Sequence, residues 1–170
     1  MATIFRFRML SDENDNFLRE YDVPKEMNLR DFHYFLSHDL HYATDQMASF
    51  FLSDGTWEKG CEFTLEEMGL PQGAGPMAMA DVTLDRIIRQ RKDRLIWVFD
   101  PLNDRACYLE LIEESPAEMG VRYPRTAVSQ GNAPDQFDAE EHSGGGSIFD
   151  EAMAEFNDFE GDDNYSDDEY

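Results

Sequence analysis

The sequence predicts an α+β domain, an antiparallel sheet of about five strands with two helices packed on one face, and three stretches predict it. The first is residues 94–114. Leu95, Ile96, Trp97, Val98 and Phe99 form an all-apolar run rich in β-branched and aromatic side chains, as suits a strand buried on both faces. After the turn chemistry of Asp100-Pro101-Leu102-Asn103-Asp104 the chain alternates, with Cys107, Leu109 and Leu111 on one face and Tyr108, Glu110 and Ile112 on the other. The second stretch is residues 2–23, where Phe5, Phe7 and Met9 alternate, a polar cluster intervenes, and Phe17, Arg19, Tyr21 and Val23 alternate again: another hairpin. The third is residues 28–40. Asn28 is placed to cap a helix, Asp31 sits in its first turn, and Leu29, Phe32, Leu36 and Leu40 form an apolar stripe that needs a sheet to lie on.

The remaining elements follow in order. Residues 46–52 read as a third strand, and residues 61–65 as a candidate strand after the turn at Asp54-Gly55. Residues 69–80, GLPQGAGPMAMA, read as a loop that lays its methionines on the core. Thr83 is placed to cap a short helix over residues 84–91, with Leu84, Ile87 and Ile88 inward, which leads into the 94–114 hairpin. Beyond Ser115-Pro116 the reading is irregular to about Phe137, so the globular domain spans residues 1–137. Residues 138–170 read as a flexible acidic tail. Gly144-Gly145-Gly146 forms a linker, and residues 147–157 form an amphipathic segment with Ile148, Phe149, Met153 and Phe156 on one helical side. That segment is too short to be stable alone, since isolated helices below about 12–15 residues are marginal in water.

Charge separates the tail from the domain. The 170 residues carry 37 acidic and 14 basic side chains, a formal net charge of −23. Fourteen of the acids and none of the bases lie in residues 126–170, which leaves −9 for residues 1–125. So acidic a chain is repelled by phosphate backbones, which excludes direct nucleic-acid binding in favour of a protein partner. No apolar run approaches a membrane span, and Arg6 and Arg8 interrupt the opening MATIFRFRML, so neither a membrane segment nor a secretory signal is expected. Two cysteines, Cys61 and Cys107, are too few for a disulfide scaffold and read as reduced thiols of a cytoplasmic protein.

Three segments carry a family likeness. Residues 28–40 read NLRDFHYFLSHDL, a helix bearing leucines and histidines. Val82-Thr83-Leu84 leads through a short helix into an aromatic strand ending in Asp100, and Tyr123-Pro124 is followed by Gly131-Asn132-Ala133-Pro134-Asp135. In this order, over roughly residues 3–137, they resemble the plasmid pRiA4b Orf-three-like family, a microbial group also described as passengers of transposable elements. Where that family continues its strand as Asp-Phe-Gly-Asp, with Trp and His soon after, this chain has Asp100, Pro101, Leu102 and Asn103, then Arg105 and Cys107 at the Trp and His places. The family's cysteines near the C-terminal element are absent. The resemblance implies a mixed α+β domain and brings no defined activity.

Several residue groups are candidate sites. His33, His38 and His41 do not share the single helical face of a zinc helix, and read as polar surface residues. Residues 12–16, DENDN, open like a calcium loop but have Phe17 where Gly is required and Val23 where Glu is required, so they read as a turn. Arg86, Arg89, Arg91, Lys92 and Arg94 form the one basic cluster, at the predicted end of the short helix. No nucleophile–base pair or phosphate loop appears. The reading is an interaction module rather than an enzyme, without cofactor or metal. Its expected contacts are Ile148, Phe149, Met153, Phe156, Arg86, Arg89, Arg91 and Lys92, and its partner a protein with a basic or hydrophobic groove. The alternatives are an acidic nucleic-acid mimic that occupies a DNA-binding protein, and a metal-assisted hydrolase using His33, His38 or His41 with Asp100.

Overall fold

Residues 2–66 and 75–137 are described by the computed structural model. The chain divides into two units, Met1–Pro134 and Asp135–Tyr170; the acidic tail from residue 138, with its 147–157 segment, lies outside the described residues.

Eight strands among the described residues form one sheet: β1 Thr3–Ser11, β2 Leu18–Pro24, β3 Ser49–Ser53, β4 Lys59–Thr64, β5 Met77–Ala78, β6 Arg94–Asp100, β7 Arg105–Pro116 and β8 Arg125–Gln130. Their order is β5-β4-β3-β6-β7-β1-β2-β8. The two predicted hairpins are present as β1–β2 and β6–β7, and β1 pairs with β7 to join them. The sheet corrects the expectation of about five antiparallel strands: β5 runs parallel to β4, which makes the sheet mixed. The added strands have a physical reason to be missed. β5 is two residues long and exists only through Phe63↔Met77 and Thr64↔Ala78, while β8 is a half-exposed edge strand without a clean alternation.

Two helices lie on one face. α1, Leu29–Asp39, starts where the Asn28 side chain accepts the Asp31 N–H at 2.8 Å. α2, Leu84–Ile87, is shorter than predicted. Ile88 already has extended backbone, and the Asp93 carboxylate accepts the N–H groups of Arg89 and Gln90, which converts the expected last helical turn into a loop. Thr83 gives its hydroxyl to the Asp85 carboxylate rather than capping the backbone. The helix starts are tied together, Leu29 N–H to Val82 O and Leu84 N–H to Met27 O, both at 2.9 Å.

Alternation along the strands gives the sheet two unlike faces. The face under the helices carries the main core, including Phe5, Phe7, Met9, Tyr21, Phe50, Trp97 and Leu109, against Leu29, Phe32 and Leu36 of α1. Phe32 packs 5.4 Å from Phe7 and stacks 5.7 Å from Phe50. Burying each such ring stabilises the fold by about 1.5–3 kcal/mol. The opposite face holds a small cluster of Ile96, Val98 and Ala106, flanked by Phe51, Trp57 and Tyr108, and also carries the ion pairs Arg6–Asp22, Arg8–Glu20 and Arg94–Glu110.

Candidate functional site

Arg86 lies in the last turn of α2, as expected, whereas Arg89, Arg91 and Lys92 follow in the loop before β6 because the helix ends early. All four are exposed. Every Lys and Arg of the chain lies among the described residues, which allows a direct comparison. Arg6, Arg8, Arg19, Lys59, Arg94, Arg105 and Arg125 are all in ion pairs within the domain. Among the described residues, Arg86, Arg89, Arg91 and Lys92 are in none. Arg94, predicted to join them, is drawn away instead: it stacks 4.4 Å over Trp57 and reaches Glu110 at 3.4 Å. Ile148, Phe149, Met153 and Phe156 lie outside the described residues.

The histidines do not assemble. His38 and His41 are exposed, but His33 is buried, which corrects its reading as a surface residue. The signal was present in the spacing: His33 is four residues after Leu29 and three before Leu36, on the stripe that faces the core. Trp97 Nε1–H donates to His33 Nδ1 at 3.1 Å, so the neutral ring carries its proton on Nε2, where that N–H has no partner among the described residues. Burial lowers the His33 pKa to about 4. A ring held neutral and already bonded to Trp97 is poorly placed to share a metal with Asp100, which binds Arg105 and Asn103 instead. Among the described residues no three His, Cys, Asp or Glu side chains gather as metal ligands.

The segments that carry the family likeness are linked through Trp97 and Tyr42, from His33 at one end to Pro134 at the other. Tyr42, just past α1, stacks on Trp97 and packs against Phe99, and its hydroxyl donates to Pro134 O. Gly131 has φ +72 and lies so close to the first hairpin turn that a Cβ would stand 2.2 Å from Asn16 O, so glycine is required there. Asn14 Nδ2 donates to Asn132 O at 2.7 Å, which makes the residue 12–16 turn a dock for the C-terminal element. Arg105 bonds Glu13 and Asp100 and lies over Phe99, closing the gap between the two hairpin turns. Cys61 is exposed on β4 and Cys107 buried on β7, with β3 and β6 between them. Burial pushes the Cys107 thiol up, away from the reactive thiolate.

One concave site went unpredicted. A cleft of about 330 Å³ opens beside the start of β3 and the end of β4, lined by Tyr34, Met47, Ala48, Ser49, Glu62 and Leu65 among others. Its residues come from four segments far apart in sequence, which no local pattern joins.

The class this architecture defines is a mixed α+β domain on one large sheet. Within that class the chain belongs to the family described as plasmid pRiA4b ORF-3-like protein, whose model matches residues 4–167. A crystal structure of a protein of unknown function from Methanosarcina mazei Go1, MM3350, has a similar fold, with a TM-score of 0.62 and 11% identity, over 76% of this chain and 70% of that one. No curated protein matches. No helix among the described residues is long and apolar enough to cross a membrane.

Proposed function

We propose that this chain is a protein-interaction module, working in the cytoplasm, whose binding determinants are the cations Arg86, Arg89, Arg91 and Lys92 together with the apolar stripe Ile148, Phe149, Met153 and Phe156 of the acidic tail. The observation that carries the reading is the cluster of exposed cations at the end of α2 and in the loop after it. In a chain with 37 acids, half of the bases are already paired within the domain, and four of the rest stand together with no ion pair among the described residues. Neighbouring exposed cations repel one another, and an acidic surface brought against them relieves that repulsion. The tail supplies the complementary chemistry for a partner's basic or apolar groove, an amphipathic segment flanked by carboxylates.

The test is affinity capture from the native host with the full chain, with Arg86, Arg89, Arg91 and Lys92 all changed to Ala, and with Phe149→Ala plus Phe156→Ala. A partner held by the full chain and lost from either variant supports the reading. Capture that both variants leave intact removes it.

A further inference from the structure

Four arginines are used in one repeated way within this domain. Arg94 lies 4.4 Å from the Trp57 ring centroid and pairs with Glu110; Arg105 lies 5.1 Å from Phe99 and pairs with Asp100. Arg19 lies 4.6 Å from Phe17 and reaches Asp39, and Arg125 lies 5.8 Å from Tyr123 and pairs with Asp22. In each trio the guanidinium lies over a ring and also reaches a carboxylate, the two contacts a flat, charged fork can make at once.

The cleft beside β3 and β4 holds a carboxylate and an aromatic ring without an arginine. Glu62 is half-buried, and the hydroxyl of Ser49, a residue only 7% exposed, donates to its Oε2 at 2.8 Å. That bond orients the carboxylate without neutralising it. Tyr34 lines the same cleft, as do Asp45 and Glu66. The other buried or half-buried strand carboxylates, Glu20, Asp22, Asp100 and Glu110, each take an arginine of this chain, whereas none of its lysines or arginines pairs with Glu62. A partly desolvated carboxylate without a cation is costly, so a cation from outside gains the interaction that its four counterparts already have.

We propose that this cleft binds an arginine side chain presented by an apolar stretch of a partner protein, with the guanidinium at Glu62 beside Tyr34 and the flanking apolar side chains against Met47, Leu65 and Pro101. The lining favours this occupant over a bare cation. Met47 is 71% exposed, and Ala48, Leu65 and Pro101 complete an apolar wall suited to the methylene stem of arginine. The surface goes beyond the reading given for the tail and the Arg86–Lys92 loop, and its charge is opposite to that loop's, so either can fail alone.

The experiment is an amide-resonance titration of the full chain with the blocked tripeptide acetyl-Leu-Arg-Leu-amide and with its neutral citrulline isostere. The arginine peptide is expected to shift Tyr34, Ser49 and Glu62, and the citrulline peptide to bind at least about tenfold more weakly. Glu62→Gln, which keeps an acceptor for Ser49, should abolish that difference, and Tyr34→Leu should weaken the arginine peptide severalfold. Changing the four loop cations to Ala should leave binding intact. Equal binding of the two peptides, binding indifferent to Glu62→Gln, or no shift at about millimolar peptide overturns the proposal. Agmatine binding as tightly as the tripeptide overturns the protein-segment form of it.

Discussion

The two faces of the sheet are closed by different physics. Under the helices, Phe7, Phe32 and Phe50 pack ring against ring with no exposure, and the cost of disturbing them is a cavity. On the other face Asp22, 4% exposed, receives Arg6 through two bonds of 2.7 and 2.9 Å and Arg125 through one of 2.9 Å. There, removing one member leaves charge without its counter-charge. Arg6, Arg8, Arg94 and Arg125, with their aliphatic stems, thus roof strands where no helix lies, while Arg19 pairs on the helix side with Asp39 of α1. The difference teaches where spare charge is informative: an exposed base in no ion pair among the described residues, or a half-buried strand carboxylate without an arginine, is open to a partner.

The largest expected effect tests the apolar face. Phe50→Ala should lower unfolding free energy by about 3–5 kcal/mol, read from denaturant midpoints, because the ring stacked on Phe32 leaves a void that the sheet cannot collapse into. Next comes His33, on the same side. Its folded pKa of about 4 lies below the ordinary 6.5, so on acidification the unfolded chain takes up the proton first. Its contribution is therefore intact above about pH 6.5 and is lost as pH falls towards 4, by up to about 3 kcal/mol. His33→Gln keeps an acceptor for Trp97 and should flatten that part of the stability profile; an unchanged slope between pH 6.5 and 4 would assign it to other groups.

The ion-paired face should respond less and with a different pH signature. Burial pushes the Asp22 carboxyl up, but the bonds from Arg6 and Arg125 outweigh it and hold the pKa below the ordinary 3.8. Its stabilisation is full above that value and lost as pH falls through the lower, folded one. Asp22→Asn should cost about 1–3 kcal/mol at neutral pH, discounted because Arg6 and Arg125 are partly exposed, and the deficit should shrink in strong acid. A cost equal to that of Phe50→Ala would erase the distinction between the faces. The smallest effect belongs to Arg8→Ala, which removes a pair with Glu20 from a side chain 44% exposed. About 0.2–1 kcal/mol is expected, diminished by salt; a salt-independent loss would mean that the stem of Arg8, not its charge, matters.

What was legible in the sequence was local. The hairpin of β6 and β7 could be read because five apolar residues and an alternating run flank a proline turn, all within the reach of neighbouring side chains. The α1 start was legible for the same reason, Asn28 and Asp31 being three residues apart. The family resemblance was read from three such segments, and the family model matches residues 4–167.

Partnership was decided only by the tertiary structure. Strand order brings β1 between β7 and β2 and sets β8 at the edge, so Arg6 meets Asp22, and Asp22 meets Arg125, across 16 and 103 residues of sequence. The same folding draws Arg94 away from its basic neighbours to Trp57, buries His33 against Trp97, and leaves Glu62 facing a cleft with Ser49 but no arginine. Alternation tells which face a strand residue takes, because that follows from backbone geometry over two residues. Which charge it finds there depends on register between strands remote in the chain, and that is fixed by the packing of the whole sheet.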